Sequence, residues 1–385
     1  MAEQLSGVNG DIIRWARELY NMSEEEAAHS IGVSKEKYSA WESGTEFPTY
    51  AKLKNISDVF HKPSAVFFFP EPPIIPIKGD LRTLPNAVID GFSKNVMIQL
   101  EKAKAYQLNL MELYETSSCI FTNRKIIPSD IMQLCNYLRG LMGFSITAQK
   151  GGKNTKVVFE IYREKFYELG IYVFKDSFKD NNVSGLCIND DLFPVILINN
   201  SMSFARQIFT LFHEFYHLVS NTSGAEIIRD DYYEYLDKSQ SSTERSCDKF
   251  ANEFLVPTDD FKIELNRQEP DEDRIAELAT LYSVSKEAIM YKLWSMHVIT
   301  SDEYESLKET FYGDAIRNPK KKNGENTPGG NYYFTKLAYL GALYTGEVFR
   351  QMYSGKIDNF RASEMLNSKV DHLPQLESAY FRGNK

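Results

Sequence analysis

Apolar and polar positions along this chain change period several times, and those changes divide it. Between residues 8 and 70, short apolar stretches separated by capping residues predict five short helices. Ser23 stands before Glu24-Glu25-Glu26, and Gly32 closes that segment. Ser34 opens the next, which runs to about Ser43 and stops at Gly44. Pro48-Thr49 opens a fourth helix, and Pro63-Ser64 a short apolar fifth. The run Pro70–Pro76, PEPPIIP, reads as a stiff extended breaker, and the first domain boundary is placed there.

Beyond the breaker, one long helix is predicted from Phe92 to Thr116, another from Pro128-Ser129 to about Gly143, and a third over Lys156–Leu169. The period then shortens. Ile171–Phe174, Ser184–Ile188 and Val195–Ile198 are brief β-rich runs split by Asp/Asn-rich turns. A helix follows from Ser203 to about Ser220, and another over Thr243–Leu255, which must end before Pro257. Asp273–Leu281, Lys286–Trp294 and Ser301–Thr310 read as helical again. The polar stretch Arg317–Asn331 has a linker's composition, and Tyr332–Lys385 has helical spacing with a turn at Gly355–Ile357. No internal repeat is visible. The expectation is a multidomain, mainly α protein with a small β-sheet. Its parts are a five-helix domain over 1–70, a linker and long helix over 71–118, an α+β domain over 119–300, and a helical C-terminal region over 301–385.

Composition narrows the classes. At 385 residues the chain is too long for one ordinary core, and its 23 Tyr and 25 Phe can fill several. A net charge of −9 argues against nucleic-acid binding over the whole surface, while leaving room for one small basic face. Met1–Gly10 lacks the pattern of a signal peptide, and no apolar run reaches the roughly 18 residues that span a bilayer. Cys119, Cys135, Cys187 and Cys247 have no close paired spacing and read as thiols in a reducing compartment, so a cytoplasmic location is expected.

The chemistry concentrates at His213-Glu214-Phe215-Tyr216-His217. On a helix, residues i and i+4 share a face, so both imidazoles can converge on one ion. Glu214, beside the first of them, can take a proton from a water that the ion acidifies. The surrounding stretch Phe204–Ser220 is apolar and free of Pro and Gly, as a buried helix should be. Two core histidines on a helix are the plain alternative. Catalytic zinc takes three protein ligands and keeps one position open. Glu244, 27 residues after His217 (244 − 217), is the expected third ligand, after a loop and a returning helix. Asp248, one turn on, could orient a ligand imidazole. Cys247 is a possible soft ligand, but it is expected to lie off the Glu244/Asp248 face and ranks well below Glu244. Zinc is the expected ion, with Mn2+ or Fe2+ able to use the same donors.

These residues carry a resemblance. HEFYH followed by ERSCDKFANEFLVP, with SGLCINDDLFPVILINN and RQIFTLFHE before it, resembles the ImmA/IrrE family of bacterial metallopeptidases over about residues 80–300. The resemblance implies a zincin-like, gluzincin-type domain with His213, His217 and Glu244 on the metal and Glu214 as the base. It also implies a site-specific endopeptidase that cleaves a repressor protein of a mobile element or stress response. One position departs: Tyr216 stands where a small residue is usual before the second His, and its ring would crowd the cleft. Peptidases often hold substrate backbone as an added strand on a sheet edge. Val183–Ile188 is the candidate edge, with Ser184, Gly185 and Leu186 against the substrate. The alternative is a core strand with a packing glycine. Tyr232, Tyr233 and Tyr235, between the ligand helices, are candidate oxyanion donors.

The stretch SEEEAAHSIGVSKEKYSAWESGTEFPT resembles phage-repressor-like (XRE-type) helix-turn-helix domains. Ala27 would allow two helices to pack closely, and Ser34, Lys35, Lys37 and Tyr38 would face operator DNA. Residues 1–70 hold 7 Lys/Arg and 10 Asp/Glu, a balance of −3, with Glu24–Glu26 where phosphate would approach. Recognition of a partner protein competes with DNA reading, and a homodimer would engage two half-sites. His297 and His372 read as surface or packing residues. Three functions compete: a repressor-cleaving peptidase, a DNA-binding regulator whose peptidase domain only senses, and an antitoxin-like protein acting by binding.

Overall fold

The computed structural model describes residues 3–73, 92–114, 130–222, 224–227, 238–265, 270–317 and 332–383. The chain divides into two compact units, Met1–Lys102 and Ala103–Lys385.

The first unit begins with helices α1 (Gly10–Leu19), α2 (Glu24–Ile31), α3 (Lys35–Glu42) and α4 (Tyr50–Phe60), followed by a 3₁₀ turn at Ser64–Phe68. The expected caps form. Ser23 and Glu26 close a capping box at α2, and Gly32 ends that helix in the left-handed region at φ 75°. Ser34 caps α3 and Thr49 caps α4. Ala27, Ile31, Trp41, Ile56 and Phe60 are buried between the helices. Arg17 clamps the buried Glu42 carboxylate with two bonds of 2.7 and 3.0 Å, locking α1 to α3. The long helix α5 (Lys94–Leu113) begins in this unit, where the Tyr20 hydroxyl donates to Glu101 at 2.6 Å.

The second unit continues α5 from Ala103 and adds α6 (Ile131–Met142), α7 (Ile146–Lys150) and α8 (Thr155–Glu168). Three strands follow, β1 (Tyr172–Asp176), β2 (Val183–Ile188) and β3 (Val195–Asn199), then helix α9 (Phe204–Val219) and strand β4 (Gly224–Ile227). The sheet order is β1-β3-β2-β4; β1 runs parallel to β3, and the other pairings are antiparallel. After it come α10 (Lys238–Leu255), α11 (Thr258–Leu265), α12 (Glu272–Tyr282), α13 (Lys286–Ser295) and α14 (Ser301–Arg317). The tail forms α15 (Tyr332–Leu340), α16 (Ala342–Tyr353), α17 (Asn359–Met365) and α18 (Leu373–Gly383).

This topology corrects one expectation. β2 is not an edge. It lies between β3 and β4, all six of its residues are buried, and Ser184, Gly185 and Leu186 belong to the core. A Cβ on Gly185 would come within 2.4 Å of Thr210 Cγ2 on α9 and 3.2 Å of the Leu197 carbonyl. The glycine therefore brings helix α9 close against the sheet and makes no room for substrate. At the β1 edge, Arg163 donates to the carbonyls of Val173, Ala338 and Tyr339 and ties α15 beside the sheet. Among the described residues, no strand pairs with the outer side of β4.

Candidate metal centre

Helix α9 is capped by Ser203, whose hydroxyl accepts from the Arg206 amide, and it is buried on most of its circumference. Phe212 and Phe215 anchor it: Phe212 stacks on Phe254 of α10 at 4.2 Å, and Phe215 meets Phe166 of α8 at 4.8 Å. A helix buried on most of its sides is held by its surroundings, so the polar groups it carries are fixed in direction. Helix α10 lies against it. The end of α10 is held by Gln149, whose amide donates at 2.8 Å to the carbonyls of both Leu255 and Tyr282.

Between the two helices, His213, His217 and Glu244 come together, each no more than 4% exposed. His213 Nε2 lies 3.1 Å from Glu244 Oε2, and His217 Nε2 lies 3.4 Å from Glu244 Oε1. Donor atoms on a tetrahedral ion with bonds of about 2.0–2.1 Å sit about 3.3 Å apart, so these spacings match a shared ion. His217 Nε2 is buried with no hydrogen-bond partner, the sort of orphaned atom that a metal would satisfy. Burial raises the Glu244 carboxyl, but the hydrogen bond from His213 and the charge of the two imidazoles outweigh it and hold the group down at about 2. The carboxylate is thus ionised and ready to ligate.

The outer nitrogens are held as well. His213 Nδ1 lies 3.0 Å from Asp248 Oδ1, the partner expected from the sequence. His217 Nδ1 lies 3.0 Å from Thr222 Oγ1, and that hydroxyl donates to the His217 carbonyl at 3.1 Å. With its proton committed there, Thr222 accepts from Nδ1–H, which leaves the Nε2 lone pair facing Glu244. Glu214 is completely buried beside them. Its carboxyl hydrogen-bonds the Cys187 thiol of β2, and burial together with the Glu214 charge pushes that thiol well above its ordinary range. The Tyr216 ring packs against Phe250 of α10 at 5.2 Å.

Three contributors escaped the sequence reading: Thr222, Cys187 and Gly224. A Cβ on Gly224 would come within 2.4 Å of His217 Cδ2 and 2.6 Å of its Nε2. Strand β4 can therefore lie on the imidazole because this residue is glycine. Gly224→Ala is expected to displace the His217 ring and lower metal content at a fixed zinc concentration by about tenfold, the scale of losing an outer support. Metal analysis of that variant checks it. The signal was present in the sequence as a lone glycine soon after the motif, but nothing local said what it faces. Tyr232, Tyr233 and Tyr235 lie outside the described residues.

In the first unit, Ser34, Lys35 and Lys37 are exposed at the start of α3. The Ser34 hydroxyl also accepts from the Lys37 amide at 3.3 Å. Tyr38 is a correction: it is completely buried, its ring 6.4 Å from that of Trp41, so it belongs to the core and reads no base.

Comparison with known families agrees with this division. Residues 167–293 match the model described as the IrrE N-terminal-like domain, and residues 13–67 match the model described as helix-turn-helix. No curated protein matches the chain.

Proposed function

We propose that this chain, which joins an XRE-type helix-turn-helix domain to an IrrE-like peptidase domain, is a zinc-dependent endopeptidase that cleaves a repressor protein. The observation that carries the reading is the convergence of His213, His217 and Glu244 within hydrogen-bonding distance, with Glu214 buried alongside. His213, His217 and Glu244 would hold the ion. When bound, zinc supplies Lewis acidity that acidifies a water and polarises the scissile carbonyl. Glu214 accepts the water's proton and delivers it to the leaving amine. Asp248 and Thr222 keep the imidazoles turned inward. β4 rather than β2 is the strand beside which a substrate backbone would lie.

The test is incubation of the full chain with candidate helix-turn-helix repressor proteins, with and without a chelator. Cleavage at one site that the chelator abolishes is the expected result. An intact repressor under zinc would overturn the proteolytic reading.

A second reading, a regulator that binds DNA and only senses through its peptidase domain, is favoured by the exposed Lys35 and Lys37 at the start of α3. If this face reads an operator, Lys35→Ala with Lys37→Ala weakens binding and reduces the salt slope by roughly two. A mobility shift of the chain on its own promoter, across salt, checks it. Binding unchanged by the double variant would rule out this face.

A further inference from the structure

The three ligands proposed above have a neighbour of different chemistry. The Cys247 sulfur lies in the same cluster, with its ligand atom and those of His213, His217 and Glu244 all within 4.8 Å of one another. It comes from the same turn of α10 as Glu244, three residues on, a spacing that brings side chains together on one helix surface. Cys247 is completely buried. A buried thiol is ordinarily a small apolar filler. That role accounts for its burial, but not for its position among three converging donors, one of which, His217 Nε2, is a buried nitrogen with no hydrogen-bond partner.

We propose that Cys247 is a displaceable fourth ligand, completing a His₂GluCys set around the ion. The inference rests on the reading that His213, His217 and Glu244 hold the metal. Sulfur and nitrogen on one tetrahedral zinc sit about 3.6 Å apart, within reach of a small side-chain movement from the present spacing. The thiol releases its proton to solvent as the sulfur binds. Four protein donors close a zinc site, whereas three leave it open for chemistry. With Cys247 bound the centre is latent; with Cys247 displaced by water or a substrate carbonyl it is open. A thiolate is also a soft donor, so it selects zinc over manganese and iron, which the other three donors alone would discriminate poorly.

Cobalt loading of the full chain tests this, because sulfur ligation to Co2+ has its own absorption. The wild type is expected to show a sulfur-to-cobalt charge-transfer band in the near ultraviolet, and Cys247→Ser and Cys247→Ala to bind cobalt without it. In competition titrations both variants should lose about tenfold or more in zinc affinity while manganese affinity moves by less than about threefold. Cobalt bound with a nitrogen-and-oxygen spectrum in the wild type, and zinc affinity unchanged in the variants, would overturn the role of Cys247 and leave the three-ligand site standing. No cobalt uptake by the wild type would overturn both.

Discussion

Purified protein is expected to carry about one zinc-like ion per chain, and His217→Ala almost none. The reason lies in how little each donor can be spared. Glu244 reaches both imidazoles, at 3.1 Å from His213 and 3.4 Å from His217, so removing one ring leaves a buried carboxylate facing a single histidine. Without the second imidazole, the donors left in the buried cleft no longer make the paired-histidine set that the site is built on. Losing an outer partner alone typically costs about 10–100-fold in affinity, and losing a direct ligand should exceed that. His217→Ala also empties the space under Gly224, whose lack of a side chain exists to accommodate that ring. Elemental analysis after dialysis against trace zinc is the measurement. Unchanged stoichiometry in His217→Ala would sink the assignment of the site. Retention of fold, read by circular dichroism, separates loss of the ion from loss of the domain.

Much of this site was legible because its chemistry is local. The His213–His217 pair needs one helix and one spacing, and the apolar stretch around it identifies the helix as buried. Asp248 follows from Glu244 by the same i, i+4 rule, and the structure places it 3.0 Å from His213 Nδ1. What was not legible depends on pairing between distant segments. β2 looked like an edge because β4 is four residues long, too short for alternation to declare it. Once β4 pairs with β2, Gly185 becomes a contact with helix α9 and Gly224 a contact with a ligand ring. The five-residue helix Ile146–Lys150 was missed for the same reason of length, and Thr258–Leu265 was not distinguished from the loop that follows Pro257. Tyr38 failed differently: its residue type suits a DNA groove as well as a core, and only the packing of α3 against its neighbours decides between them. The geometry of capping, by contrast, was read directly. Ser23, Gly32, Ser34 and Thr49 stand where the helices begin and end because their side chains or backbone angles satisfy helix termini without tertiary help.

Glu214→Gln is expected to keep the ion and the fold and to lose cleavage of the repressor by about a hundredfold or more. Glu214 is completely buried, and its carboxyl hydrogen-bonds the Cys187 thiol on β2. Glutamine has nearly the same volume, and its amide oxygen can still accept from that thiol, so the packing between α9 and β2 survives. What the amide cannot do is take a proton from water and return it to the leaving nitrogen. Removing that proton transfer raises the barrier by about 2.7 kcal/mol for each hundredfold lost. The assay compares single-site cleavage by the wild type and the variant, with metal content measured on the same samples. Equal cleavage by the variant would show that Glu214 is not the base. Loss of metal together with activity would make Glu214 a support of the centre instead. The variant also separates the two functional readings in cells through a reporter behind the repressed promoter. A peptidase that frees the promoter by destroying the repressor leaves it silent in Glu214→Gln, whereas a sensor that acts by binding opens it as well as the wild type does.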